Sequence, residues 1–330
     1  MNVRVAEKEK RKKFNYRNKI QRLTPIILFV VLFVVLAAVN KNFLRAQAML
    51  NLSLQVAPTA IISLGAMFVM ITGGIDFTSG YGLALAGVTA GAMYDKCGNN
   101  GWILVLVAIA VGMAIGFING IIITRMNLHP FIVTLAMMTV SKGLAVMVSE
   151  GTSIKLTTPW LLALGKGRIL SIFSLSFIVL LVFAAVVWVL LNKTVIGTYA
   201  YAIGGNEDTV VYSGIDRKKY KVIAYTFAGF TYGLASIITV SQLTVVTSNI
   251  SGTVLLDGIA GAVIGGTSMS GGKGTVMGTL FGSLVMVMLS TLLTYLHVDT
   301  LLRDVIKGLL IVGILLIDVG LTALSNKKES

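Results

Sequence analysis

Charge is scarce in this chain: Asp, Glu, Lys and Arg make up 12% of its 330 residues, about half the share of a soluble globular domain. A water-soluble globule is thereby excluded, because 56% of the residues are hydrophobic and so thin a polar coat cannot cover them. Cysteine is rarer still. The lone Cys97 can close no internal disulfide and belongs to no CxxC pair, so a disulfide scaffold and a redox dithiol are both ruled out. The two histidines, His129 and His297, have no ligand partner at metal spacing, and no metal site or cofactor is expected. No Ser/His/Asp set or paired carboxylates stand out, which argues against a polytopic membrane enzyme. Acidic residues are also few, 13 against 27 basic ones, for a net charge of +14. Such an excess raises the question of nucleic acid, and its arrangement answers it. Nine of the basic residues fall within the first 22 positions, from Arg4 to Arg22, and the others punctuate apolar runs. That is an orientation signal beside membrane spans, so no nucleic-acid partner is expected.

What the chain has in abundance is long uncharged runs. About 20 mostly apolar residues cross a bilayer as a helix, and only helices or closed barrels satisfy their backbone there. Ten such spans are read at 24–40, 51–72, 77–94, 101–124, 130–149, 169–192, 222–246, 254–271, 275–296 and 304–321. The expected fold is therefore an all-α polytopic membrane protein. Its expected parts are a basic cytoplasmic segment at 1–23, a transmembrane domain at 24–321 and a cytoplasmic tail at 322–330. The apolar stretch after Thr24 is followed by no small-x-small cleavage site before Lys41, so it is read as a retained first helix rather than a signal peptide.

Placing the N-terminus inside puts 18 Lys and Arg on the cytoplasmic side and 7 outside, with Lys142 and Lys307 within spans. This asymmetry predicts that both termini are cytoplasmic. The long connection from Lys193 to Lys221 then lies inside, and its polar segment Gly204 to Asp216 is read as a docking element. A second long connection, Gly151 to Arg168, falls outside and carries Pro159 and Trp160.

Two spans end in a glycine pair followed by small polar residues: GGIDFTSG from Gly73 to Gly80, and GGTSMSGGKG from Gly265 to Gly274. Either these are broken helices lining a pathway or they are turns at helix ends. The pathway candidates are Gly73, Gly74, Asp76 and Ser79 in the first segment, and Gly265, Gly266, Thr267 and Ser268 in the second. A phosphate-binding loop does not fit the second segment. The GxxxxGK[ST] pattern would need glycine where Thr267 stands and a hydroxyl where Gly274 stands. Glycines recur every fourth residue at 112, 116 and 120, and again at 274, 278 and 282. The spacing puts a smooth stripe on one helix face, suited to close helix packing or, as the minority reading, to a substrate groove. Ionisable residues within spans, namely Lys142, Asp257, Lys307 and, near span ends, Asp76, Asp304 and Asp318, are expected to be paired, snorkelling or facing water.

Four blocks make the chain resemble the permease subunits of ribose-type ABC importers, the carbohydrate branch of a family that includes branched-chain amino acid permeases. They are GGIDFTSG, NGIIITRMNLHPFIVTLAMM from Asn119, YAIGGNEDTVVYSGI from Tyr201, and LDGIAGAVIGGTSMSGGKGTVMGTLFG from Leu256. Ser79 departs from the aliphatic residue usual after the first block's hydroxyl. The resemblance implies an importer of a monosaccharide whose partners are a separate ABC ATPase, an extracytoplasmic sugar-binding protein and a second permease copy or paralogue, all within membrane lipid. It also implies that residues 204–216 form the coupling helix presented to the ATPase, and that the chain itself hydrolyses nothing. In that element Gly204 and Gly205 would turn the chain, Asn206 would cap the helix, Glu207 and Asp208 would favour its first turn, and Ser213 and Gly214 would close it. A bulky residue at Gly205 or Gly214 is expected to uncouple ATP hydrolysis from uptake. The alternatives are a nucleoside or branched-chain amino acid importer, and an ion-driven secondary transporter.

Overall fold

A computed structural model of the chain describes residues 23–169, 172–248, 254–299, 301–310 and 312–313. The basic segment 1–22, the tail 322–330, Asp318 and the end of the tenth expected span fall outside the described residues. The described chain is helical apart from two short antiparallel ladders. One pairs β1 (Ile154–Lys155) with β4 (Val245–Val246), and the other pairs β2 (Arg168–Ile169) with β3 (Phe173–Ser174).

The helices in chain order are α1 (Leu23–Val39), α2 (Ala46–Ile71), α3 (Ser79–Lys96), α4 (Gly101–Arg125), α5 (Pro130–Ser149), α6 (Pro159–Lys166) and α7 (Leu175–Lys193). There follow α8 (Val195–Gly205), α9 (Glu207–Tyr212), α10 (Arg217–Leu243), α11 (Val254–Ile264), α12 (Val276–Tyr295) and α13 (residues 301–310). Six of them, α2, α4, α5, α7, α10 and α12, are long and apolar enough to cross a bilayer, and α1 and α11 are shorter apolar helices. Large apolar side chains stand exposed on their outer faces, among them Leu106, Phe117, Ile132, Met147 and Val182. An apolar exterior on this scale belongs in lipid, and the chain is a multi-pass membrane protein.

Starts follow local chemistry. Asn100, Ser174, Asp216 and Thr275 cap α4, α7, α10 and α12 by accepting from backbone N–H groups of the first turn. Proline opens α5 and α6, where its missing N–H costs nothing.

Helix α2 is the central post. From Val56 to Ile71 every residue is buried, and α7, α8, α10, α11 and α12 all pack against it. Glycine decides how closely the other helices meet. A methyl group added at Gly112 or Gly116 would overlap the α10 backbone at Gly229 or Tyr225, and one at Gly120 would press on Val222. The second stripe works likewise, with Gly278 and Gly282 of α12 lying against the carbonyls of Gly265 and Gly261 at the α11 end. Both stripes are packing seams.

The structure redraws four expected spans, of which the second begins at Ala46, five residues before the expected 51. The sixth begins only at Leu175, because residues 168–169 and 173–174 form the β2–β3 ladder. The seventh starts at Arg217, five residues before the expected 222, since Asp216 caps it there. The eighth stops at Ile264 instead of 271. At about 1.5 Å per residue, this 11-residue α11 reaches roughly half of a ~30 Å hydrocarbon core.

Candidate functional site

Helix α9 is short and held at both ends. Asn206, in extended backbone, accepts through Oδ1 from the Thr209 N–H at 3.0 Å, while Glu207 and Asp208 place negative charge at the positive end of the helix. Glu207 also accepts from Arg217 at 2.8 Å and from Lys221 at 2.9 Å, tying α9 to the start of α10. Beyond Ser213, Gly214 takes a left-handed φ of +74°. The Ile215 N–H then reaches back to the Val210 carbonyl at 3.2 Å. This closure needs a residue free of the Cβ penalty. Val210 is buried beneath the helix, whereas Val211 is exposed and Tyr212 stands 89% exposed at its tip.

The expected turn at Gly204 and Gly205 is not where the chain turns. Both glycines close α8, and the change of direction comes at Asn206. Gly204 instead marks a close approach: a Cβ there would overlap the Ile71 carbonyl and crowd the Gly272 N–H, while around Gly205 there is open space. Next to Gly204, the Gly272 N–H donates to the Ile71 carbonyl at 2.9 Å. The Tyr201 hydroxyl donates to the Gly274 carbonyl at 2.8 Å, and burial pushes its pKa up, which keeps the donated proton in place. The α8–α9 element, the end of α2 and the loop before α12 therefore meet at one place.

The two glycine-pair segments, 192 positions apart in the chain from Gly73 to Gly265, end their helices by the same device. After α2, Gly73 has φ +78° and the Gly74 N–H bonds to the Val69 carbonyl. After α11, Gly266 has φ +85° and the Thr267 N–H bonds to the Ala262 carbonyl. Both are Schellman closures with a left-handed glycine. The register differs by one residue from the pairing suggested by the two GG dipeptides, since Gly73 corresponds to Gly266 rather than to Gly265. Ser268 continues the second loop, its N–H donating to the Lys273 carbonyl at 3.0 Å.

Beyond Gly74 the first loop carries a buried polar cluster. One oxygen of Asp76 accepts from the Thr78 N–H at 2.8 Å, and the other accepts from the Tyr232 hydroxyl of α10. The Thr78 hydroxyl donates to the Thr134 carbonyl and accepts from Asn119 Nδ2 at 2.8 Å. The Tyr225 ring edge covers Gly74 so closely that a side chain there would strike its hydroxyl. Ser79 Oγ, Asn119 Oδ1, Tyr225 Oη and Thr267 Oγ1 are buried with no hydrogen-bond partner among the described residues. In one chain these side chains are packed between helices.

Tyr201, Tyr225, Tyr232 and Asn119 were not singled out from sequence. Asp76 and Tyr232 are 156 positions apart, so no local spacing could link them. The only signal was indirect, in that a carboxylate read near a span end requires a partner. The same requirement is met elsewhere: Lys307 of α13 donates to Asp257 of α11 at 2.9 Å, both buried, and Lys142 lies over the Tyr81 ring at 5.3 Å.

A family model described as branched-chain amino acid transport system / permease component matches residues 48–315. The ribose import permease protein of Bacillus subtilis is 36% identical over 309 residues, covering 93% of this chain and 95% of that one. The ribose import permease protein of Escherichia coli K12 is 33% identical, with 92% and 93% covered. The galactose/methyl galactoside import permease protein of Escherichia coli K12 is 30% identical, with 88% and 93% covered. No solved structure matches. A helical membrane domain with its glycine-closed loops, matched over most of its length, makes this chain a member of the branched-chain amino acid transport system permease family.

Proposed function

We propose that this chain is the membrane-spanning permease subunit of an ABC importer for a monosaccharide of the ribose or galactose kind. The observation that carries the mechanism is the junction at Gly204, where α8, which leads into the capped, outward-facing α9, meets the end of α2 and the loop between α11 and α12. An ATPase subunit would seat on α9, with Tyr212 and Val211 as the exposed apolar contacts. Its stroke would enter α8 and pass at Gly204 to the loops after α2 and α11. In parallel, the Glu207 ion pairs would carry it into α10. Gly73, Gly74, Asp76, Ser79, Gly265, Gly266, Thr267 and Ser268 would serve as the moving joints beside the path, which a second copy or paralogue would complete. The chain would perform no hydrolysis, and an external binding protein would deliver the sugar. Relatives on the ribose and galactose side, matched at nearly full length, favour a sugar over an amino acid or nucleoside.

The test is reconstitution of the chain in vesicles with an ABC ATPase and a sugar-binding protein. Uptake of labelled ribose or galactose should require ATP and survive collapse of the Na⁺ and H⁺ gradients. Uptake that continues without the ATPase, or stops with the ion gradient, would give the assignment to a secondary transporter.

A further inference from the structure

Between α4, α7 and α10 lies an apolar groove of about 830 Å³ whose floor is the α10 face of Val222, Thr226 and Phe230. Phe117 of α4 and Val182 and Val186 of α7 line its walls. A second apolar depression of about 480 Å³ shares Val182 and Val186 and runs on to Thr194. Among the described residues the groove opens on the outer surface, where Phe117, Val182 and Val186 are exposed.

The C-terminal end of α4 and the N-terminal end of α10 meet at one mouth of this groove. Antiparallel packing sets Gly120 of α4 on Val222 of α10, which brings Arg125 to the α10 start. Both ends are basic on the groove-facing row. Arg125 follows Met113 and Phe117 at steps of four, and Lys219 precedes Ile223 by four. Arg125, Lys218 and Lys219 are exposed, while nearby Arg217 and Lys221 are engaged by Glu207 and Lys193, at the α7 end, holds its ammonium over the Trp188 ring at 6.0 Å. Asp216 is turned to the α10 cap. Lys218 and Lys219 also stand in the first turn of α10, where the helix dipole opposes cations and favours an anion. Basic residues alone would be an orientation signal. Joined to an apolar slot they form a two-part receptor.

We propose that this groove binds one anionic phospholipid, with an acyl chain lying on Thr226 and Phe230 and the phosphate held among Arg125, Lys218 and Lys219. The assignment is independent of the transported solute. It can be tested on the purified full chain in detergent by native mass spectrometry, using phosphatidylglycerol and phosphatidylcholine of identical acyl composition. Phosphatidylglycerol should be retained selectively. A juxtamembrane basic residue contributes about a fivefold gain for an anionic lipid, so the double variant R125Q/K219Q should lose retention by about 25-fold. Val182→Trp, at an exposed position where folding is not threatened, should displace the lipid by filling the slot. Equal retention of the two lipids, or phosphatidylglycerol kept by the double variant, would overturn the proposal. So would cross-linking of two copies through Val182→Cys, which would assign the groove to a second protein chain.

Discussion

Two neighbouring glycines differ in what an added Cβ would meet. Gly204 touches backbone of α2 and of the loop before α12, and backbone cannot step aside as a flexible side chain can. Gly204→Ala is therefore expected to cut uptake in vesicles at least tenfold while the partner's basal ATP hydrolysis continues. Gly205→Ala, with open space around it, should transport like the parent chain. If Gly205→Ala fails instead, the junction has been placed one residue wrong. At Asp76 the same logic concerns donors. Tyr232→Phe removes the hydrogen bond to one buried carboxylate oxygen, and losing a bond to a charged group costs about 1.5–3 kcal/mol. Thermal or denaturant unfolding in detergent should register that loss, and Tyr225→Phe, whose hydroxyl has no partner among the described residues, should not.

Helices were legible in the sequence where periodicity or capping was strong. Asn206 reads as a cap from its place before Glu207 and Asp208, and its side chain accepts from Thr209. Truncating it in Asn206→Ala should loosen α9 by about 1 kcal/mol, visible as faster amide exchange over residues 207–212. The glycine stripes were readable too, because a repeat of four has few other uses in lipid. Helix α11 was not. Its uncharged run continues past Ile264 to Gly272, and an absence of charge does not show that a left-handed Gly266 ends the helix. Nor could spacing show which acid meets which base, as the α11 and α13 pair Asp257 and Lys307 lie 50 positions apart. Lys307→Met alone leaves a buried carboxylate uncompensated and should destabilise the chain by about 3–5 kcal/mol. The double variant D257L/K307M should recover most of that in the same unfolding measurement.

At the scale of the molecule, the hydropathy pattern set the class and the charge pattern set the orientation to be tested. In a Cys97→Ser background, an impermeant thiol reagent added to intact cells should leave Asp208→Cys unlabelled and should label it once the membrane is opened. Labelling from outside would invert the topology and remove the ATPase's access to α9. The tertiary wiring was hidden because it rests on contacts between residues far apart in the chain, such as Gly204 with Ile71 and Gly272.

The Ile71 carbonyl accepts a hydrogen bond from the Gly272 N–H and leaves no room for more than a hydrogen on Gly204. Two loops that follow separate helices are thus pinned at one point. The proposed coupling motion would carry both loops together, and a covalent staple across that pin should arrest both halves at once.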